Sequence, residues 1–282
     1  MDGLSEAQLP AASRHPPMKE SIQMNYEDIR IERTDAILTI TIDRPDRRNM
    51  LRRQTALELA SALRELRDDP ALRVAILTGA GTRDFCIGGE HEEEVTRFDY
   101  SAVMPVVDVY ELLDSVPKPV IAAVNGFAVG GGHVLQVMCD YSIAVEAAVF
   151  RQVGPLVGSF DAGYGTWYLE ELIGRRRAKE MWMFNRRYDA HQALAWGLVN
   201  EVVPAAELMA RATEAAEELT LRGASALAAL KAAFSARHTG VVGQSRVAHD
   251  LLLTRYLADR EHAEMSAAFA EKRPPNPESM DR

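Results

Sequence analysis

One acid stands almost alone in the stretch Phe150 to Gly165, FRQVGPLVGSFDAGYG: Asp161, set beside Ser159, Phe160, Ala162 and Gly163. A carboxylate in apolar surroundings is a group that can pass a proton to or from a carbonyl, and burial would make it easier to protonate than usual. Gly158, Gly163 and Gly165 suit a loop that brings backbone close to a ligand. The same residues also read as a surface turn in which Asp161 caps a helix starting near Tyr164. Two more glycine turns could do chemistry through backbone alone. Gly130, Gly131 and Gly132 open a helix, whose first N–H groups lack intrahelical partners and sit at the positive end of its dipole. If the N–H of Gly89, in CIGGE, points at the same spot, the pair can hold a thioester oxygen as it becomes an enolate. Each such donor is worth about 3 kcal/mol in a dry site. Taken alone, the triple glycine equally suits close packing of a helix on a strand.

These turns need elements to carry them. Val74 to Thr78, Val120 to Val124 and Tyr141 to Val145 read as short buried strands; the first feeds GAGTRDFCIGGE and the second feeds Asn125, Gly126 and the triple glycine. Strand, glycine turn, helix, strand recurs, which predicts stacked strand-strand-helix units without a clean sequence repeat. Upstream, Ile29 to Ile31 and Ile37 to Ile42 predict a hairpin turning at Thr34 and Asp35. Leu59, Leu63 and Leu66 recur at helical spacing in a segment that starts after Pro45, and another helix is expected over about Ala102 to Asp114. Helices are predicted over 205–221, 224–237 and 243–270, ended by the Pro-rich tail after Arg273. Residues 1–24 carry Pro10, Pro16 and Pro17 without a hydrophobic period and read as a flexible tail. That leaves a core over 25–204 and a helical C-terminal region over 205–282.

Composition narrows the classes. A net charge of -9 over 282 residues argues against a nucleic-acid surface. The only cysteines, Cys86 and Cys139, have no metal-ligand spacing and fit a reducing compartment, so a cytoplasmic protein without a metal is expected. The most apolar run, Val120 to Val129, is too short to span a bilayer, and no membrane partner is expected.

FCIGGE together with PKPVIAAVNGFAVGGGHVLQVMCD resembles the crotonase (enoyl-CoA hydratase/isomerase) superfamily, and the resemblance runs from about Tyr26 to Arg273. It implies an α/β spiral of strand-strand-helix units with a helical C-terminal trimerisation region, in a homotrimer or homohexamer. It also implies an acyl-CoA substrate and an oxyanion hole built from the N–H groups of Gly89 and Gly131. Hydratases of the superfamily add water with two glutamates; the matching positions here hold Val134 and Gly154, so simple hydration is not expected. The stretch VGPLVGSFDAGYGTWYLEELIGRRRAKEMWMFNRRYDAHQALAWGLVNEVVP is similar to the dihydroxynaphthoyl-CoA synthases, which close a ring by a Dieckmann-type condensation. It is similar too to the related ketocyclohexanecarboxyl-CoA hydrolases, which open one.

On the synthase pattern, Asp161 would protonate or orient the attacked carbonyl and Ser159 would hold it by a hydrogen bond. Gln152, Gly154 and Trp182 match the subgroup that takes bicarbonate as its base, in the space an acidic side chain would otherwise fill; Trp182 also reads as a core aromatic and Gln152 as a surface residue. Arg48, with Arg47, Arg52, Lys272 and Arg273, could meet the phosphates of CoA. Tyr256 stands one position out of register with a C-terminal tyrosine that reaches a neighbouring active site in the synthases. The chain departs from that pattern at Glu90, His91 and Glu92 to Glu94, an acidic run that would repel an aromatic carboxylate and also suits a solvated loop face. His133 and His238 read as structural. A hydratase or isomerase, and an idle acyl-CoA-binding scaffold, are the competing readings.

Overall fold

The structure, a computed structural model, describes residues 26–90, 104–160, 163–235 and 253–280. Strands β1 (Ile29–Thr34) and β2 (Ile37–Ile42) form the expected antiparallel hairpin, with Asp35 at φ 52 making the turn. An aspartate tolerates that left-handed conformation better than most side chains. Helix α1 (Arg53–Asp68) begins later than the segment after Pro45 suggested. Pro45–Arg47 instead forms a single 3-10 turn, and Arg48 and Asn49 follow at φ 55 and 54, which reverses the chain before Leu51.

Parallel strands β3 (Val74–Gly79), β5 (Val120–Val124), β7 (Tyr141–Val145) and β10 (Glu201–Val203) extend the hairpin into a six-stranded sheet of order β1-β2-β3-β5-β7-β10. β3 and β5 are buried along their whole length, as near-continuous Val/Ile/Ala runs require. A second sheet has the order β4-β6-β8-β9, from β4 (Asp84–Cys86), β6 (Phe127–Val129), β8 (Val149–Arg151) and β9 (Tyr188–Asp189). The predicted units are therefore β3-β4-α2, β5-β6-α3 and β7-β8-α4, where α2 is Pro105–Ser115, α3 is Gly131–Met138 and α4 is Tyr164–Ile173. Each sends its first strand to one sheet and its second to the other. The α/β crotonase-like spiral follows from this alternation.

Helices α5 (Arg175–Phe184), α6 (Ala190–Trp196), α7 (Leu208–Thr220) and α8 (Ala224–Ser235) complete the body. α7, counted above with the C-terminal region, lies across β3, β5 and β7 and buries Leu208, Ala212, Ala215 and Ala216, so the packed core continues to the end of that helix. The long helix expected over 243–270 is, in its described part, two helices: Thr254–Leu257 and Arg260–Glu271. Asp259 interrupts them by capping the second, its side chain accepting the N–H of Glu261. The tail of residues 1–24, His91 with Glu92 to Glu94, Asp161 and His238 lie outside the described residues. Among the described residues no helix is long and apolar enough to cross a membrane, and no cluster of His, Cys, Asp and Glu could hold a metal ion.

Candidate functional site

β4 and β6 are parallel neighbours, so the turns that follow them emerge side by side. Gly89 is paired with Leu51 through one isolated parallel bridge. The Leu51 N–H donates to the Gly88 carbonyl at 2.8 Å, and the Glu90 N–H donates to the Leu51 carbonyl at 2.7 Å. A residue between two such bonds turns its own N–H to the opposite side, so the Gly89 N–H faces away from Leu51. On the other turn, Gly130 sits at φ 54, donates its N–H to the Arg151 carbonyl at 3.0 Å and accepts that of Val134 at 3.1 Å. Gly131 is then the first helical residue, and no backbone acceptor among the described residues takes its N–H.

The two turns touch. A Cβ on Gly88, which has φ 95, would lie 3.1 Å from the Gly131 nitrogen, and one on Gly131 would lie 3.7 Å from the Gly88 Cα. Both uses of the triple glycine occur together, because a Cβ on Gly132 would fall 2.1 Å from the Cys86 carbonyl oxygen. Gly132 thus provides close helix-strand packing while Gly131 presents a free donor. Tyr110, buried in α2, donates its hydroxyl to the Gly131 carbonyl at 3.4 Å and backs the helix start from the other side. Two amide donors aimed at one point can share an oxygen and stabilise negative charge on it, and Gly89 and Gly131 stand on adjoining turns.

Val134 is fully buried in α3. Gly154 opens the 3-10 turn Gly154–Val157, where a Cβ would lie 2.8 Å from the Ser159 carbonyl oxygen and 3.1 Å from the Phe160 Cα. This corrects one expectation: the absent side chain does not itself leave room for an anion, since the loop folds back and fills that side, with the Ser159 N–H donating to the Gly154 carbonyl at 2.8 Å. One donor nearby does suit an anion. The indole N–H of Trp182 is buried without a hydrogen-bond partner among the described residues, and α5, which carries it, packs against the Gly154–Val157 turn. Gln152 is buried rather than at the surface, and its amide nitrogen lies 2.8 Å from Nδ1 of the fully buried His133. Burial pushes the His133 pKa down to about 3, so the imidazole is neutral. The amide nitrogen of Gln152 is thereby fixed, and its oxygen, an acceptor, is left without a partner among the described residues.

Ser159 and Phe160 rest on the C-terminal helix of their own chain. His262 Nδ1 lies 2.6 Å from the Gly158 carbonyl oxygen, and Gly158, at φ 74, would place a Cβ 3.0 Å from Met265. The Tyr256 ring packs edge-on against Phe160 with centroids 5.3 Å apart. Tyr256 therefore lies beside the candidate loop within one protomer; burial and the neighbouring Glu261 carboxylate raise its pKa to about 12, which keeps it a neutral donor. Composition carried no signal for His262, which only the folded contact makes visible.

Of the basic residues, Arg48 is engaged elsewhere than expected. Its guanidinium is bidentate to the buried Asp84 at 2.6 and 3.2 Å and stands 5.7 Å over the Phe127 ring. Arg52 is held by Asp28 and Glu27, and Arg273 by Glu264 and Glu271. Arg47, with its side chain 68% exposed, and the exposed Lys272 are the cations of these groups that face solvent.

The enoyl-CoA hydratase/isomerase family model matches residues 32–279. The chain is similar to the crystal structure of an enoyl-CoA hydratase/isomerase from Pseudoalteromonas atlantica T6c, with a TM-score of 0.82 and 25% identity over 89% of this chain and 99% of that one. It is similar to a carnitinyl-CoA hydratase from Mycobacterium avium, with a TM-score of 0.76 and 32% identity over 88% of this chain and 97% of that one. A monofunctional enoyl CoA isomerase from M. smegmatis matches with a TM-score of 0.65 and 31% identity over 77% of this chain and 98% of that one. With the two-sheet spiral and the paired glycine turns, these matches establish that the chain belongs to the enoyl-CoA hydratase/isomerase family, the crotonase superfamily.

Proposed function

We propose that this protein makes or breaks a carbon-carbon bond in an acyl-CoA through a thioester enolate, most like the ring closure of the dihydroxynaphthoyl-CoA synthases. One observation carries the reading: two backbone donors suited to an enolate stand beside a buried Val134 and a Gly154 with no room for a side chain. At neither position can a side chain deliver the protons that hydration needs, whereas an enolate can still form and attack a second carbonyl. Gly89 and Gly131 would hold the enolate oxygen. Asp161 would give a proton to the carbonyl under attack, and Ser159 would orient it. Tyr256, whose hydroxyl donates to Glu261 at 3.3 Å, would close the loop side of the pocket with its ring.

Trp182 and the Gly154 N–H would donate to bicarbonate and the Gln152 oxygen would accept its hydroxyl, and the anion would supply a base for the carbon next to the thioester. The chain's own part is to fix those groups: His133 holds the Gln152 nitrogen and so turns its oxygen outward, and α5 brings the Trp182 N–H to the turn. Arg47 and Lys272 are the exposed cations offered to the phosphates of CoA, with Arg48 shaping the segment through Asp84. Assembly as a homotrimer or homohexamer belongs to the same proposal, because α8 has no buried residue and exposes Leu230 and Phe234.

Mass spectrometry of the products formed from o-succinylbenzoyl-CoA, with and without added bicarbonate, tests the reading. Loss of one water that depends on bicarbonate is expected for ring closure. Gain of water with a cyclic ketoacyl-CoA would place the enzyme with the ring-opening hydrolases. Addition of water to a simple enoyl-CoA at a comparable rate would overturn the proposal.

A further inference from the structure

Gly89 is exposed, and among the described residues nothing lies within 4 Å of where its Cβ would be. Among the described residues, its direction is set through its chain neighbours. On the strand side it has one isolated bridge, the two hydrogen bonds with Leu51, and a single bridge is a weak tether. A third attachment comes from the next residue. The Glu90 carboxylate receives Arg44 Nη2 at 2.6 Å and has Arg47 Nη1 at 3.8 Å.

The same Arg44 guanidinium donates through Nη1 to the Met50 carbonyl, and its Nε lies 3.4 Å from the buried Asp28 carboxylate. Met50 precedes Leu51, so one planar fork grips both strands of the bridge: Met50 on one side and Glu90 on the other. Side chains of Arg44 and Glu90 are only 10% and 19% exposed, which leaves the pair less screened than a surface ion pair. A guanidinium suits this role because its donors lie in a fixed plane.

We propose that Arg44 and Glu90 are positioning residues that clamp the Gly89 peptide and thereby aim its N–H at the enolate oxygen. The inference rests on Gly89 being an oxyanion donor. Oxyanion donors act within a narrow distance range, so a loosened peptide would cost charge stabilisation before it cost ground-state binding.

Acetoacetyl-CoA serves as the probe, because its enolate absorbs in the ultraviolet and its bound fraction can be titrated against pH. The wild-type protein is expected to lower the probe's apparent pKa. Glu90→Gln should raise it again by about one unit, a roughly tenfold loss of enolate stabilisation, while CoA itself binds within about twofold of wild type. Arg44→Lys keeps the charge but cannot grip Glu90 and Met50 together, and should give the same loss; the double variant should lose no more than either single one. Thermal unfolding checks that each variant is folded. No enolate with wild type would overturn the oxyanion reading itself. A wild-type enolate unaffected by Glu90→Gln or Arg44→Lys would overturn the clamp alone.

Discussion

A methyl group added at Gly132 and one added at Gly89 meet opposite surroundings: the first would lie 2.1 Å from a backbone oxygen, the second within 4 Å of nothing among the described residues. Gly132→Ala should therefore destabilise the protein by about 2 kcal/mol or more, and Gly89→Ala, which retains its N–H, by less than about 0.5 kcal/mol; urea denaturation compares them. Asp161→Asn is expected to abolish turnover while calorimetric CoA binding stays near wild type, and unaltered turnover would remove Asp161 from the mechanism. His133 ties stability to pH. Its folded pKa of about 3 lies below the usual 6.5, so between these values the unfolded chain binds the extra proton. Its contribution is complete above about 6.5 and is lost as pH falls toward 3, at up to about 1.4 kcal/mol per pH unit. His133→Asn should flatten the fall in urea midpoint between neutral and mildly acid buffer. The glycine donors were legible because glycine beside a helix start has few uses. The His133–Gln152 pair was not, since only the fold brings their positions together.

Helix Arg260–Glu271 supports the Ser159–Phe160 segment through the His262 contact to Gly158 at 2.6 Å. His262→Ala should lower kcat several-fold with KM for the acyl-CoA changed less, since the contact places a loop and touches no CoA group in the proposal; steady-state kinetics separates the two. Strands and the hairpin were readable from β-branched runs between glycines. The break at Asp259 was not anticipated because Ala, Leu and Glu favour helix on both sides of it. An aspartate followed by Glu261 in a first turn was the available signal, and capping outweighed propensity there. Arg48 shows a similar gap: a basic residue near an expected ligand suggests phosphate, yet Asp84 is distant in sequence and claims the guanidinium.

The recurring units were visible in the chain, but the division of their strands between two sheets was not, because strand patterning reports burial and not which partner lies alongside. The apolar α8 leaves Leu230 58% and Phe234 64% exposed. If this face joins protomers, Phe234→Glu should shift the protein from trimer or hexamer toward monomer in sedimentation velocity, with far-ultraviolet dichroism preserved. The division into two sheets has a further consequence. β4 and β6 are adjacent strands, and adjacent strands stand about 4.8 Å apart. An oxygen that accepts two N–H bonds of about 2.9 Å from directions about 110° apart needs its nitrogens at nearly that separation. If Gly89 and Gly131 hold the enolate oxygen as proposed, the strand spacing brings their turns to about the needed width, and the Arg44–Glu90 pair sets the aim of one donor within it.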